Sequence, residues 1–223
     1  MKVNIAPDFS VYDLLGRVQN FADSALVNHR RTMNIISYEI ENATLIGDAQ
    51  TRIFSSFQRM SRFLPQVERY TQIAQKAESV YVFGIPDVKP PEIPGITYVA
   101  LKPTDRLADE WFIVSYGRDY ASALATQELS SIDDPDDMRS FKGIWTFDLN
   151  MVSIMEQWLS STVDAQIILL NQDSHNRQRQ TELMHASQHR LLTRLQQKPR
   201  THMDTIIQDE IRMIMHSGVY AAV

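Results

Sequence analysis

Glu182, His185 and His189 fall at i, i+3 and i+7, so a helix would carry all three on one face. Two histidines four residues apart have a metal-ligand spacing, but Ala186 stands where zinc hydrolases place a Glu after the first His. A solvated polar face is the simpler reading, and the three are weak metal candidates only. A second set is aromatic. Trp111, Tyr116 and Trp145 stand in β-rich runs, where a few rings among many core aromatics can line a small-molecule pocket. A third set is ionic. Glu128, Asp133, Asp134, Asp136 and Asp137 form an acidic run, whereas residues 177–202 hold six Lys and Arg against Glu182 alone. Each run reads most simply as solvated surface; contact between the two, within one chain or between two chains, is the alternative. The acidic run lacks the Gly and terminal Glu that an EF-hand loop requires.

Missing residues narrow the chemistry further. The chain of 223 residues has no cysteine, which excludes disulfides, thiolate-held zinc or iron–sulfur clusters, and a cysteine nucleophile. A chromophore tethered through a cysteine is excluded on the same ground, and the identity of any cofactor is left open. No GxGxxG, GxxxxGK[ST], GxSxG or HExxH motif occurs. A net charge of −5 and a pI near 5.7 argue against whole-surface attraction to DNA or an anionic membrane. No apolar run approaches the roughly 20 residues of a membrane span, and the N-terminus lacks a signal-peptide pattern, so the expectation is a cytoplasmic protein.

The elements that must position these side chains follow from periodicity. Ser10 with Asp13 is a capping-box pattern opening a helix whose stripe runs Val11, Leu14, Leu15, Val18, Phe21, Ala22, Ala25. Residues 33–40 fit either a strand or a short helix. Asp48 is expected to cap a helix carrying Ile53, Phe57 and Met60 on one face, and Pro65 to open another that buries Val67, Tyr70 and Ile73. Strands are expected at 80–85, 96–101, 111–116, 120–125 and 141–147, the third and fourth joined at Gly117-Arg118-Asp119. Helical spacing returns from Met151. Two further helices follow, one with Leu183, Leu191 and Leu195 and, after Lys198-Pro199-Arg200, one with Ile207, Ile211 and Ile214. These narrow stripes suit docking on a partner or a second copy. The acidic last helix, carrying Asp204, Asp209 and Glu210 against Arg212, does not suit a DNA groove. The fold class is α+β: N-terminal helices on a mainly antiparallel sheet of about four or five strands, then C-terminal helices. The division is 1–32 as an N-terminal helix, 33–171 as the main domain and 172–223 as a helical extension.

Ser56-Phe57-Gln58, Arg69-Tyr70, Val80-Tyr81-Val82-Phe83-Gly84 and Glu110-Trp111-Phe112 resemble, in order and spacing, the DICT sensory domain of signalling proteins, common in cyanobacteria. The resemblance covers roughly residues 33–171. It implies a non-catalytic α+β sensor with a link to light responses, and supplies no catalytic or ligand residue to carry over. Relatives are often fused to cyclase, kinase or receiver domains. No such output domain fits in this chain, so the signal is expected to leave through a protein partner or self-association. A small enzyme with Asp/His acid–base chemistry in an aromatic pocket, and a ligand-free structural adaptor, are the alternatives.

Overall fold

A computed structural model describes residues 5–17, 26–131, 133–135, 138–168 and 174–196. Helix α1 (Val11–Gly16) starts where the sequence places it, with Ser10 Oγ accepting from the Asp13 amide at 2.9 Å. The expected continuation of its stripe to Ala25 lies outside the described residues until β1 (Leu26–His29), a strand that runs straight into α2 (Arg30–Leu45). The ambiguity at 33–40 resolves as helix. Met33, Ile36, Ile40 and Ala43 recur at three and four residues and are buried together, a longer match than the brief Ile36, Tyr38, Ile40 alternation.

The helix expected over Ile53–Met60 is instead β2 (Arg52–Arg59). Ile53, Phe57 and Met60 do share helical spacing, but β2 is central and buried on both faces, which erases the alternation that marks a strand. Met60 opens the short α3 (Met60–Phe63). Pro65 lies in the 3₁₀ turn Leu64–Gln66 that leads into α4 (Val67–Ala74), whose Tyr70 and Ile73 are buried as expected. Strands β3 (Ser79–Ile85), β4 (Ile96–Ala100), β5 (Glu110–Tyr116), β6 (Ala121–Glu128) and β7 (Ser140–Thr146) occupy the five β-rich runs, followed by α5 (Leu149–Thr162) and α6 (Arg177–Gln196).

The sheet has seven strands in the order β1-β7-β6-β5-β2-β3-β4. This corrects the expected four or five strands, and the sheet is mixed: β2-β3 and β3-β4 are parallel, the other pairs antiparallel. The parallel half arises because β2 is a strand. The chain then returns through α3 and α4 to lay β3 beside it in the same direction, as a parallel pair demands. Helices cover both faces. Val11 and Leu15 of α1 and Met151, Val152, Met155 and Leu159 of α5 pack on Phe54, Phe83, Phe112 and Val114. The opposite face, with Ile53, Val80, Val82, Ile113 and Phe141, packs on α2, α3, α4 and Leu183 of α6.

The hairpin between β5 and β6 forms where expected, and Gly117 is needed for close approach. A Cβ there would lie 2.2 Å from the Gln50 carbonyl oxygen. Gly117→Ala is expected to destabilise the fold by about 1–3 kcal/mol, read as a lower urea midpoint at unchanged slope. An unshifted midpoint would mean that the Gln50 backbone gives way freely. Among the described residues no helix is long and apolar enough to cross a membrane.

Candidate functional site

A cavity of about 40 Å³ opens between the first half of α2 and the end of β2. By volume this holds roughly three water-sized groups. Its floor is polar and buried: Ser37 and Glu41 from α2, Ser55 and Gln58 from β2, and Arg139 just before β7. Its rim is half-buried and mixes cations with rings: Arg30, Arg62, Tyr38, Phe57 and Trp111, with Asn34 and Gln66 beside them.

A β-bulge builds the floor. Ser56 pairs with Phe83 and Arg59 with Ile85, so three steps along β2 match two along β3. The extra residue is accommodated by Gln58, which stands in the left-handed region at φ 63°. For a non-glycine residue this conformation costs about 1–3 kcal/mol and persists only where the surroundings enforce it. They do. The Gln58 amide donates to Glu128 Oε2 at 2.7 Å and to the Asp109 carbonyl at 3.3 Å, and its oxygen accepts from Arg139 Nη2 at 2.5 Å. Gly84 admits the bulge, since a Cβ there would come within 3.2 Å of the Arg59 and Met60 backbone.

Arg139, only 1% exposed, grips Glu128 with two bonds, Nε to Oε1 at 2.6 Å and Nη2 to Oε2 at 2.7 Å. Burial alone would raise the Glu128 carboxyl. The bonds from Arg139 and Gln58 outweigh it and hold that carboxyl below its ordinary value. Deeper on the α2 side, Arg69 pairs with Glu41 Oε2, donates to Asn42 Oδ1 at 2.9 Å, and lies over the Tyr38 ring. The Tyr70 hydroxyl donates to Glu41 Oε1 at 2.9 Å and sits 2.7 Å from Ser55 Oγ. Burial pushes the Glu41 carboxyl above its usual range, with Arg69 and Tyr70 pulling the other way. The Trp111 indole N–H donates to Ser37 Oγ at 3.2 Å, fixing the ring at the rim.

Of the three aromatics singled out from sequence, only Trp111 lines this cavity. Trp145 lies on the same face but donates to Ser122 Oγ at 3.1 Å and packs at a tilt against the Phe147 ring. Tyr116 points to the opposite face and is fully buried there. Period two explains the split: residues 111 and 116 are five apart on one strand and so face opposite ways. Glu182, His185 and His189 are exposed on α6, Glu182 paired with Arg179 at 3.0 Å, and among the described residues no cluster of three such side chains is placed to hold a metal. Leu183 and Leu191 are buried against the domain, Leu183 within the core cluster that includes α2. Leu195 is in α6, and Ile207, Ile211 and Ile214 lie outside the described residues. Nor do the described charges of the acidic and basic runs meet. Glu128 pairs with Arg139 and Asp133 with Arg59, while Arg190 and Arg194 pair with Glu39 of α2.

Ser56-Phe57-Gln58 forms the bulge, Gly84 makes room for it, Arg69-Tyr70 anchors Glu41, and Glu110-Trp111-Phe112 supplies the rim indole. A family model described as the sensory domain in diguanylate cyclases and two-component systems, DICT, matches residues 8–129. The chain belongs to the DICT family. The match begins before the roughly 33–171 expected from sequence and ends sooner, running from the approach to α1 through β6. No curated protein and no solved structure matches the chain. DICT domains are sensory parts of signalling proteins, and the match contains every lining residue of the cavity except Arg139. Gln58, Glu41 and Arg139 escaped the sequence reading. Gln58 was legible only as part of a short motif. Nothing in the local sequence ties Arg139 to Gln58, 81 residues away.

Proposed function

We propose that this DICT protein is a non-catalytic sensory module that takes a small molecule in the cavity beneath Trp111 and signals through protein association. The observation that carries the proposal is that α2 serves two sites. One side supplies Ser37, Tyr38 and Glu41 to the cavity, while Glu39 on the other receives Arg190 of α6 at 2.6 Å. Gln180 ties the start of α6 down with two bonds to the Ala121 backbone, 2.7 and 3.0 Å. With that end held, a shift of α2 on ligand entry acts on the rest of α6, whose exposed side presents the association surface. The differential contacts that such a switch requires are those of the α2 side chains with bound and empty cavity. In the light-linked form of this reading, the occupant is a chromophore held without a covalent thiol bond.

The full chain purified from its native host should carry a non-covalent mass in native mass spectrometry, lost in Trp111→Leu, and its mass by light scattering should change when that molecule is stripped. A visible absorption band in the same sample identifies the occupant as a chromophore; a colourless one leaves the sensory reading in place and removes the light link. Assembly that ignores occupancy would overturn the route through α6. Leu191→Ala is expected to loosen α6 at a cost of about 2–5 kcal/mol, seen as faster amide exchange confined to residues 183–194 while β5 and β6 stay protected. Uniform loss of protection would show that α6 is an inseparable part of the core.

A further inference from the structure

The floor of the cavity holds a donor without an acceptor. Arg139 commits Nε and Nη2 to Glu128 and Gln58, whereas Nη1 has no hydrogen-bond partner among the described residues. The residue is buried and lines the cavity. A guanidinium nitrogen that opens on the cavity with two uncommitted N–H groups takes an acceptor there, and a charged oxygen satisfies it best. Nothing lets Arg139 turn away, since the Glu128 pair and the strained Gln58 fix its plane. The one carboxylate on the floor does not answer it, because both Glu41 oxygens are engaged by Arg69 and Tyr70. The charged side chains of the lining are Arg30, Arg62, Arg139 and Glu41. Above the floor come rings, Trp111, Phe57 and Tyr38, whose faces suit a flat apolar group.

We infer that the cavity takes a small carboxylate, its oxygens on Arg139 Nη1 and its flat apolar remainder against Trp111 and Phe57. The cavity volume of about 40 Å³ matches a carboxylate with one or two carbons, so the bulk of an aromatic acid would lie outside it, against the half-buried rim. This deepens the sensory reading and rests on the cavity being its input site.

The test uses the full chain and three probes of one shape, benzoate, benzamide and benzamidine, with acetate as the bare carboxylate, followed by NMR through the Trp111 indole N–H, assigned with Trp111→Phe. Benzoate is expected to bind at least tenfold more tightly than benzamide and benzamidine, with acetate shifting the same resonance more weakly. In Arg139→Met combined with Glu128→Gln, which leaves neither charge buried alone, that preference should fall below threefold while the amide exchange pattern of the folded protein persists. Equal or tighter binding of benzamide or benzamidine overturns the carboxylate assignment and leaves the cavity as an input site. If none of the four moves the Trp111 resonance, the cavity reading itself fails.

Discussion

Arg139→Ala is expected to cost about 3–5 kcal/mol in equilibrium urea unfolding, the range for breaking a buried ion pair by removing one partner. The Arg139 and Glu128 side chains are 1% and 4% exposed, so the variant leaves a carboxylate in a dry site with only the Gln58 amide and Ser130 hydroxyl to meet it. It also removes the donor that holds Gln58 in its left-handed conformation. Arg139→Lys keeps the charge but loses the planar fork, and should recover part of the stability. The pair also sets a pH dependence. Because the Glu128 carboxyl lies below its ordinary value in the folded state, its contribution is present above that value and fades as the pH falls through the folded one. Arg139→Ala should therefore lose most at neutral pH and least in acid. A loss below about 1 kcal/mol at pH 7, within the range of surface pairs, would show that solvent reaches the site.

A second carboxylate reverses that sign. Glu110 opens β5 and closes over the start of α1, accepting from Ser10 Oγ at one oxygen and from the Val11 and Tyr12 amides, at 3.0 and 3.2 Å, at the other. It is 2% exposed, and burial pushes its carboxyl up to about 7 against these bonds, with Asp13 adding to the rise. A folded value above the unfolded 4.5 means that the native state holds the proton more tightly. The resulting stability is complete below about 4.5 and drains away as the pH rises to about 7, a total of about 3 kcal/mol. Glu110→Gln reproduces the protonated form, its amide donating to Ser10 while its oxygen keeps the α1 amides. The variant is expected to be more stable than the parent at pH 8, by up to about 3 kcal/mol, and equal to it near pH 4. A parent whose stability does not fall between pH 4.5 and 7 relative to Glu110→Gln would place the Glu110 titration elsewhere.

Much of the architecture could be read from local pattern. The Ser10 cap, the Pro65 turn, the Gly117 hairpin and the five later strands each depend on residues within a few positions of one another, and the pattern there matches the fold. Failures came where burial on both faces removed periodicity. β2 carries Ile53-Phe54-Ser55-Ser56-Phe57 with no solvent-exposed face, so the helical coincidence at Ile53, Phe57 and Met60 outweighs the strand signal. That one strand also governs the parallel half of the sheet, so misreading it lowered the strand count and hid the two parallel pairings within a mainly antiparallel sheet.

By itself the sequence determined the class of fold, the lack of any thiol chemistry, and the short motifs that place the chain in a sensory family. Composition and neighbouring residues suffice for those. Only the tertiary structure decided that Trp111 faces a cavity while Tyr116 faces away. It also brought Gln58, Glu128 and Arg139 into one buried network, and turned the Leu183 and Leu191 stripe inward. The reason is physical. A pocket is made by side chains tens of residues apart whose meeting depends on strand order, register and one bulge, and none of these is encoded in local spacing.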